Sequence, residues 1–442
     1  MGKRWLGAAV LAILLSTCGL AAAASVAGDW VAEIPSAQGE PQFAHVVLKV
    51  SGTKVTGTWG ASTVEGTVAG DKLDAQLKDA DGKVEGSFSG TLVDDKVAGT
   101  GTFPAPRGRG GFGGGRPAPP TPTSFTLTRP VAAPASPRNL KFEPTALFPT
   151  YAATNKPALT IFPGDVVHTS TPDAGGVDAK GEHFGGVDAN IGPFYVEGAL
   201  PGDTLAVHLL KLRTNRSTAR QGTRLNAHTV TAAYLVGTKY DPAVTGEWTL
   251  LPEKGIAVPT HPSEHMKNYS VPLHPMLGCI SVAPNGDEQF RGADLGAYGG
   301  NLDYNENVEG TTVLMPVFHR GALLGMGDGH AAMGDGEVTG SALETSLDVD
   351  FSVEIIRGDS SGMVRAETKD YLVAFGVSGS VPDSIQIATS QLATWIKKKY
   401  SLNDSEVAIL FAATLKYDVT ELVDSQYDVV AKVPKSVLAG MK

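Results

Sequence analysis

Residues 325–344, GMGDGHAAMGDGEVTGSALE, place Asp328, His330, Asp335, Glu337 and Glu344 among glycines and alanines, directly after the apolar run LMPVFHRGALL. Carboxylates and an imidazole supply lone pairs suited to a hard or borderline cation, and glycine lets backbone approach an ion without a Cβ in the way. Two Gly-Asp-Gly turns closing β-hairpins would leave the same letters, so this stretch alone keeps both readings open.

The elements around it bring further candidates. FPGDVVHTSTPDA, 162–174, reads as a strand leaving a Pro-Gly turn and delivering His168 and Asp173 into a loop. GPFYVEGALPGDTLAVHLLKLRT, 192–214, reads as two strands joined at Pro201-Gly202-Asp203. VPLHPMLGCISVAP, 271–284, is a strand interrupted at His274-Pro275. A Gly-rich loop within 292–330 carries Asn301 and Asp303 and leads into the opening stretch. The carboxyl end changes character: apolar spacing predicts a helix over 387–400. Asn403 with Glu406 predicts a capping box for a second helix over 407–417.

Composition sets the frame. At 442 residues and 42% apolar content the chain can bury two or three cores, and a formal charge of -10 argues against nucleic acid as partner. Lys3 and Arg4, the apolar run Leu6–Leu15 and the small residues Ala21–Ala24 describe an export signal over residues 1–24, giving a periplasmic or secreted protein. Thr17 ahead of Cys18 disfavours lipid anchoring there, and no later segment is long and apolar enough to span a bilayer. With Cys18 in the leader, Cys279 is left without an internal disulfide partner. Residues 25–128 alternate apolar and polar positions between turn signals, as in GTKVTGTWG, GKVEGSFSG and DKVAGTGTF. They predict a small antiparallel β-barrel or meander with Trp30, Val46, Leu48 and Trp59 in its core. PAPRGRGGFGGGRPAPPTPT, 104–123, reads as a hairpin tip rich in glycine and proline. Residues 129–139 read as a linker, and a second domain spans 140–442.

Within that second domain GDVV with Asp173 downstream, GPFYVEGALPGDTLAV, HPMLG with VAP after it, GGNLD, PVFHRGALLGMGDGHAAMGDGEVTGSALE and the closing two-helix segment resemble the acetamidase/formamidase family, in its order. The resemblance implies a β-sandwich-like fold with a smaller α/β part and two carboxyl-terminal helices, hydrolysis of short linear amides, a divalent metal and assembly into homo-oligomers. Ser170 stands where the family commonly has a Glu, and Tyr298 where it has a His. The barrel and leader depart from its compact cytoplasmic members.

Hydrolysing an amide requires a strong nucleophile, stabilisation of the developing oxyanion and a proton donor for the departing nitrogen. A metal could supply the first two by activating water and polarising the carbonyl. Asp173, His274, Asp303 and His330 are the expected ligands, with zinc favoured by two imidazoles and manganese or calcium by a further carboxylate. Glu337 is the expected general base and then acid, Asp335 its orienting partner, and Asn301 an oxyanion donor. Glu344 is expected to play a structural or supporting role. Cys279, in an apolar run with no lysine close in sequence, reads as a buried hydrophobe and not as a nucleophile. The alternative is a non-catalytic secreted β protein with a structural cation and a glycan- or partner-binding amino-terminal module.

Overall fold

The computed structural model describes residues 25–36, 39–104, 121–183 and 185–441. The leader, most of the 104–123 segment and the lipid-anchoring question at Cys18 therefore lie outside the described residues.

The fold is mainly β. Strands Gly28–Ile34, Gln42–Ser51, Lys54–Trp59, Ser62–Ala69, Lys72–Lys78, Val84–Val93, Lys96–Thr102 and Thr123–Thr128 pair with their neighbours in sequence order, and the last pairs with the first, closing an antiparallel barrel. Its alternating positions turn Trp30, Leu48, Trp59, Leu73, Leu77, Phe88, Phe125 and Leu127 inward, where they form one buried cluster.

The larger domain is a sandwich. A six-stranded sheet runs in the order 159–161, 191–196, 324–330, 276–281, 299–301, 295–296. It faces a nine-stranded sheet centred on Thr204–Thr214 and Leu347–Ile356. Their facing side chains share one core: Ile191, Phe194, Leu277, Ile280 and Met326 from the first, Val207, Leu209, Val349, Phe351 and Phe375 from the second. A four-stranded sheet, 218–220, 247–251, 256–259 and 271–272, packs Ala219, Trp248 and Leu250 against Ala331 and Leu343.

The outer face of the nine-stranded sheet is covered by a helix, Val381–Tyr400, whose Ala388, Leu392 and Ile396 bury against Leu372, Ala374 and Ala431. It begins six residues before the start read from apolar spacing. Ser380 accepts from Asp383 N as N-cap and Pro382 sits in the first turn, so a segment resembling a loop is a helix start. The Asn403–Glu406 capping box is present, but that helix ends at Thr414 and the chain enters strand Lys416–Glu421.

The barrel rests on the sandwich through named pairs. His45 Nε2 lies 2.7 Å from Asp203 Oδ2, and Glu40 lies 2.8 Å from His319 Nδ1. Arg320 reaches over the Phe43 ring. The last two contacts fall on the start of the turn 319–323, in which Ala322 and Leu323 adopt left-handed backbone (φ 56° and 59°) before strand Leu324–His330 begins.

Candidate active site

Three adjacent strands of the six-stranded sheet end at one edge. Met276–Ser281 runs between Gly299–Asn301 and Leu324–His330 and is antiparallel to both, with Cys279 opposite Asn301 and Gly327, and Met276 opposite His330. Asn301 and Asp303 therefore arrive beside Asp328 and His330. All seven residues of Leu324–His330 are buried, so its polar side chains need partners inside the protein.

The chain then folds back: Glu344 bridges to His330, and Ala331 N donates to Leu343 O at 2.8 Å. Gly336 bridges to Glu421, bringing Glu337 against the turn 421–426. His330 Nε2 consequently lies 3.0 Å from Asp328 Oδ1, 3.2 Å from Glu344 Oε1 and 4.0 Å from Glu337 Oε1, with Nδ1 3.8 Å from Asp303 Oδ1. Asp303, Asp328, His330, Glu337, Glu344 and Glu421 are all buried.

Two features fit this cluster to a cation. Asp303 Oδ1, His330 Nδ1 and Glu421 Oε2 are buried and have no hydrogen-bond partner. Gly278 lies where a Cβ would come within 2.2 Å of Asp328 Oδ2 and 2.5 Å of Asp303 Oδ1, so only glycine leaves both carboxylates their places. The donor set, imidazole with carboxylates, is that of a divalent metal centre. Of the nine non-glycine residues in left-handed backbone among the described residues, Asp303, Asp328 and Glu337 belong to this cluster and Asp188 lies near it. Each such residue costs about 1 kcal/mol or more, strain that the surrounding structure holds in place.

The electrostatics are those of crowded carboxylates. Burial, reinforced by Glu337 and Asp328, pushes the Asp303 carboxyl well above its usual range; burial with Glu344 and Asp328 does the same to Glu337. Burial also raises Asp328 against the opposing pull of His330. Burial alone would lower His330, but Asp328 and Glu344 outweigh it and hold the imidazole well above its ordinary value. Burial and Asp424 lift Glu421 to about 8, and burial with Asp328 and Asp424 lifts Asp188 to about 7.

Of the residues expected from sequence, Asp303, His330 and Glu337 meet here, and Asn301 joins them in another capacity. Its Nδ2 donates to Asp303 Oδ2 at 2.6 Å and to Asp424 Oδ2 at 2.8 Å, so both amide hydrogens are engaged and none faces an oxyanion. Asp173 stands one layer out, paired with Arg216 and accepting from Val177 N, while the next amide, Ala174 N, donates to Glu344 Oε2 at 3.4 Å. His274 is exposed; its backbone N donates to Ala331 O at 2.8 Å and its ring is outside the cluster. Asp335 is also exposed, accepting from Asn305 Nδ2 at 2.7 Å, because the turn that buries Glu337 points its neighbour outward. Tyr298 stacks on Phe290 with centroids 4.8 Å apart, in the core.

Sequence reasoning kept Asp328 only as a member of the acidic stretch, gave Glu344 only a supporting part, and missed Glu421, Asp424 and Asp188. Cys279 is buried, its Sγ 2.6 Å from Asn301 Oδ1, and burial with Asp328 and Asp303 pushes the thiol well above its ordinary value, the reverse of an activated nucleophile.

Comparison with known proteins bears on this domain. Residues 286–381 match the model of the Acetamidase/Formamidase family. A crystal structure described as a recombinant predicted acetamidase/formamidase from the thermophile Thermoanaerobacter tengcongensis is similar at 26% identity and TM-score 0.58, over 69% of this chain and 98% of that one. Acetamidase structures from Yersinia enterocolitica (23% identity, TM-score 0.58, 70% of this chain and 96% of that one) and Bacillus halodurans (24%, 0.57, 68% and 99%) share the fold. No curated protein sequence matches the chain.

Proposed function

The larger domain belongs to the acetamidase/formamidase family, and from that premise we propose that the chain hydrolyses short linear amides such as formamide or acetamide to a carboxylate and ammonia at the cluster around His330. The observation that carries this reading is the burial of one imidazole among Asp303, Asp328, Glu337 and Glu344 at a single sheet edge.

Asp303, Asp328 and His330 form a set that would hold a divalent cation. When bound, such a cation would polarise an amide carbonyl and lower the pKa of water. The imidazole suits zinc, and the excess of carboxylates also accommodates manganese or calcium.

The chain's own residues divide the remaining work. Glu337, brought to the cluster on a glycine-flanked turn, takes the proton of the attacking water and returns it to the leaving nitrogen. Asn301 fixes Asp303 and Asp424 relative to one another and keeps two like charges from meeting directly. Arg216, on Asp173 and the Glu344 carbonyl, steadies the strand end that presents Glu344.

The test is ammonia release from formamide and acetamide before and after chelation, with elemental analysis of the purified protein. Turnover that chelation abolishes and a divalent metal restores is the expected result; absence of turnover on every short amide would remove the reading. The expected setting, export to the periplasm or medium, is tested by cell fractionation, and the expected homo-oligomer by sedimentation.

A further inference from the structure

The residues able to hold a cation form three overlapping groups: Asp303, Asp328 and His330; His330, Glu337 and Glu344; and Asp303, Glu337 and Glu421. Within each, one ligand atom per residue lies within 4.8 Å of the others. A divalent ion holds its ligands at about 2.0–2.6 Å, so one ion has to choose among them. The His330 Nε2 face is taken by Asp328 at 3.0 Å and Glu344 at 3.2 Å, whereas Glu421 belongs to a group that includes neither His330 nor Glu344.

We propose that this site binds two divalent cations that share Asp303, one held by His330, Asp328 and Asp303 and the other by the oxygen-only set Asp303, Glu337 and Glu421. The proposal rests on the amidase reading for the first position and adds the second.

Three observations support the second position. Glu421 is fully buried and divided in its tasks: Oε1 accepts from the backbone amides of Val423 and Asp424, and Oε2 has no partner. Asp303 repeats the pattern, with Oδ2 accepting from Asn301 and Oδ1 unpartnered. A buried carboxylate oxygen without a donor is costly unless a cation or proton meets it.

The charge balance points the same way. Five carboxylates, Asp303, Asp328, Glu337, Glu344 and Glu421, surround one imidazole. Among the largest electrostatic influences on Asp303, Asp328 and Glu337, the single favourable charge is His330. In the deprotonated state that metal ligation requires, with the imidazole neutral, one divalent cation would leave three of the five negative charges uncompensated in a buried space; two cations leave one. Paired metal ions sharing carboxylates at about 3.5–4 Å are a known arrangement for hydrolysis. The oxygen-only position would favour a hard cation such as manganese, magnesium or calcium.

The test uses the full chain, stripped by chelation and dialysed to equilibrium against saturating Mn(II). Manganese per chain is measured by elemental analysis, and spin coupling by electron paramagnetic resonance. Two manganese per chain with an exchange-coupled spectrum is the expected result. Glu421→Gln should lower this to one, with an uncoupled spectrum and circular dichroism unchanged. A single uncoupled manganese in the wild-type chain overturns the proposal whether or not the variant folds; so does a folded Glu421→Gln that keeps two. Two coupled ions without amide turnover would sink the amidase reading alone, and full turnover with one ion per chain would sink the second position alone.

Discussion

Asn301 holds Asp303 through a 2.6 Å hydrogen bond from its amide nitrogen to Oδ2, and the same nitrogen reaches Asp424 at 2.8 Å. Turned over, the amide would set an oxygen against two carboxylates, so the side chain has one workable orientation, with its own oxygen toward the Cys279 thiol. Asn301→Ala is expected to weaken metal binding by about 10- to 100-fold, the usual effect of removing a group that orients a ligand. Isothermal titration of the stripped protein with metal measures it. Unchanged affinity would deny Asn301 this task.

Gly278→Ala tests the space that the carboxylates occupy. Its Cβ would collide with Asp328 Oδ2 and Asp303 Oδ1, and because both residues sit in constrained left-handed backbone neither can swing aside freely. A displacement of about 1 Å at a reacting centre costs on the order of 100-fold in rate, and that loss is expected in kcat, with bound metal reduced as well.

Glu337 and Asp335 form a contrasting pair two residues apart. Glu337→Gln is expected to lower kcat by roughly 100- to 10,000-fold while the melting curve persists, since it removes a proton carrier. Asp335→Asn alters an exposed side chain bonded to Asn305 and is expected to change stability by no more than about 0.5 kcal/mol, with activity retained. Equal losses in the two variants would contradict the assignment.

The metal-free protein is expected to lose stability as pH rises. Burial lifts Glu421 to about 8, Asp428 and Asp188 to about 7 and Asp424 to about 6, each above its unfolded value. Folded chains therefore bind more protons than unfolded ones across this window. The stabilisation is full below the unfolded carboxyl pKa, about 4, and is lost as pH rises through about 8. Thermal melts of the chelated protein from pH 5 to 8 should fall steadily, and saturating divalent metal should flatten the slope by replacing protons.

Much of the site was legible because evolution wrote it in one stretch. Asp328, His330, Glu337 and Glu344 lie within seventeen residues, on a strand and the loop that returns along it. Asp303 was visible through its glycine-rich approach. Glu421 and Asp424 gave no local signal: they sit between two ordinary strands near the carboxyl end, and only the bridge to Gly336 and the bond to Asn301 bring them in. His274 misled for a related reason. Its backbone is tied to the site strand at Ala331, but the ring leaves on the solvent side. Strand alternation and turn signals made the barrel's strand character readable, whereas its closure depended on the Gly28–Ile34 and Thr123–Thr128 pairing, which no short-range pattern encodes.

The seating of the barrel has a consequence for modularity. His45 and Glu40 occupy Asp203 and His319, and His319 opens the strained turn from which the strand bearing Asp328 and His330 departs. A chain trimmed to its sandwich would leave those groups to water and brace the turn on one side only. The disturbance would enter the seven-residue strand at Leu324, about 20 Å along the backbone from His330. The barrel has in this way become part of the foundation of the site, and the two halves are no longer interchangeable parts.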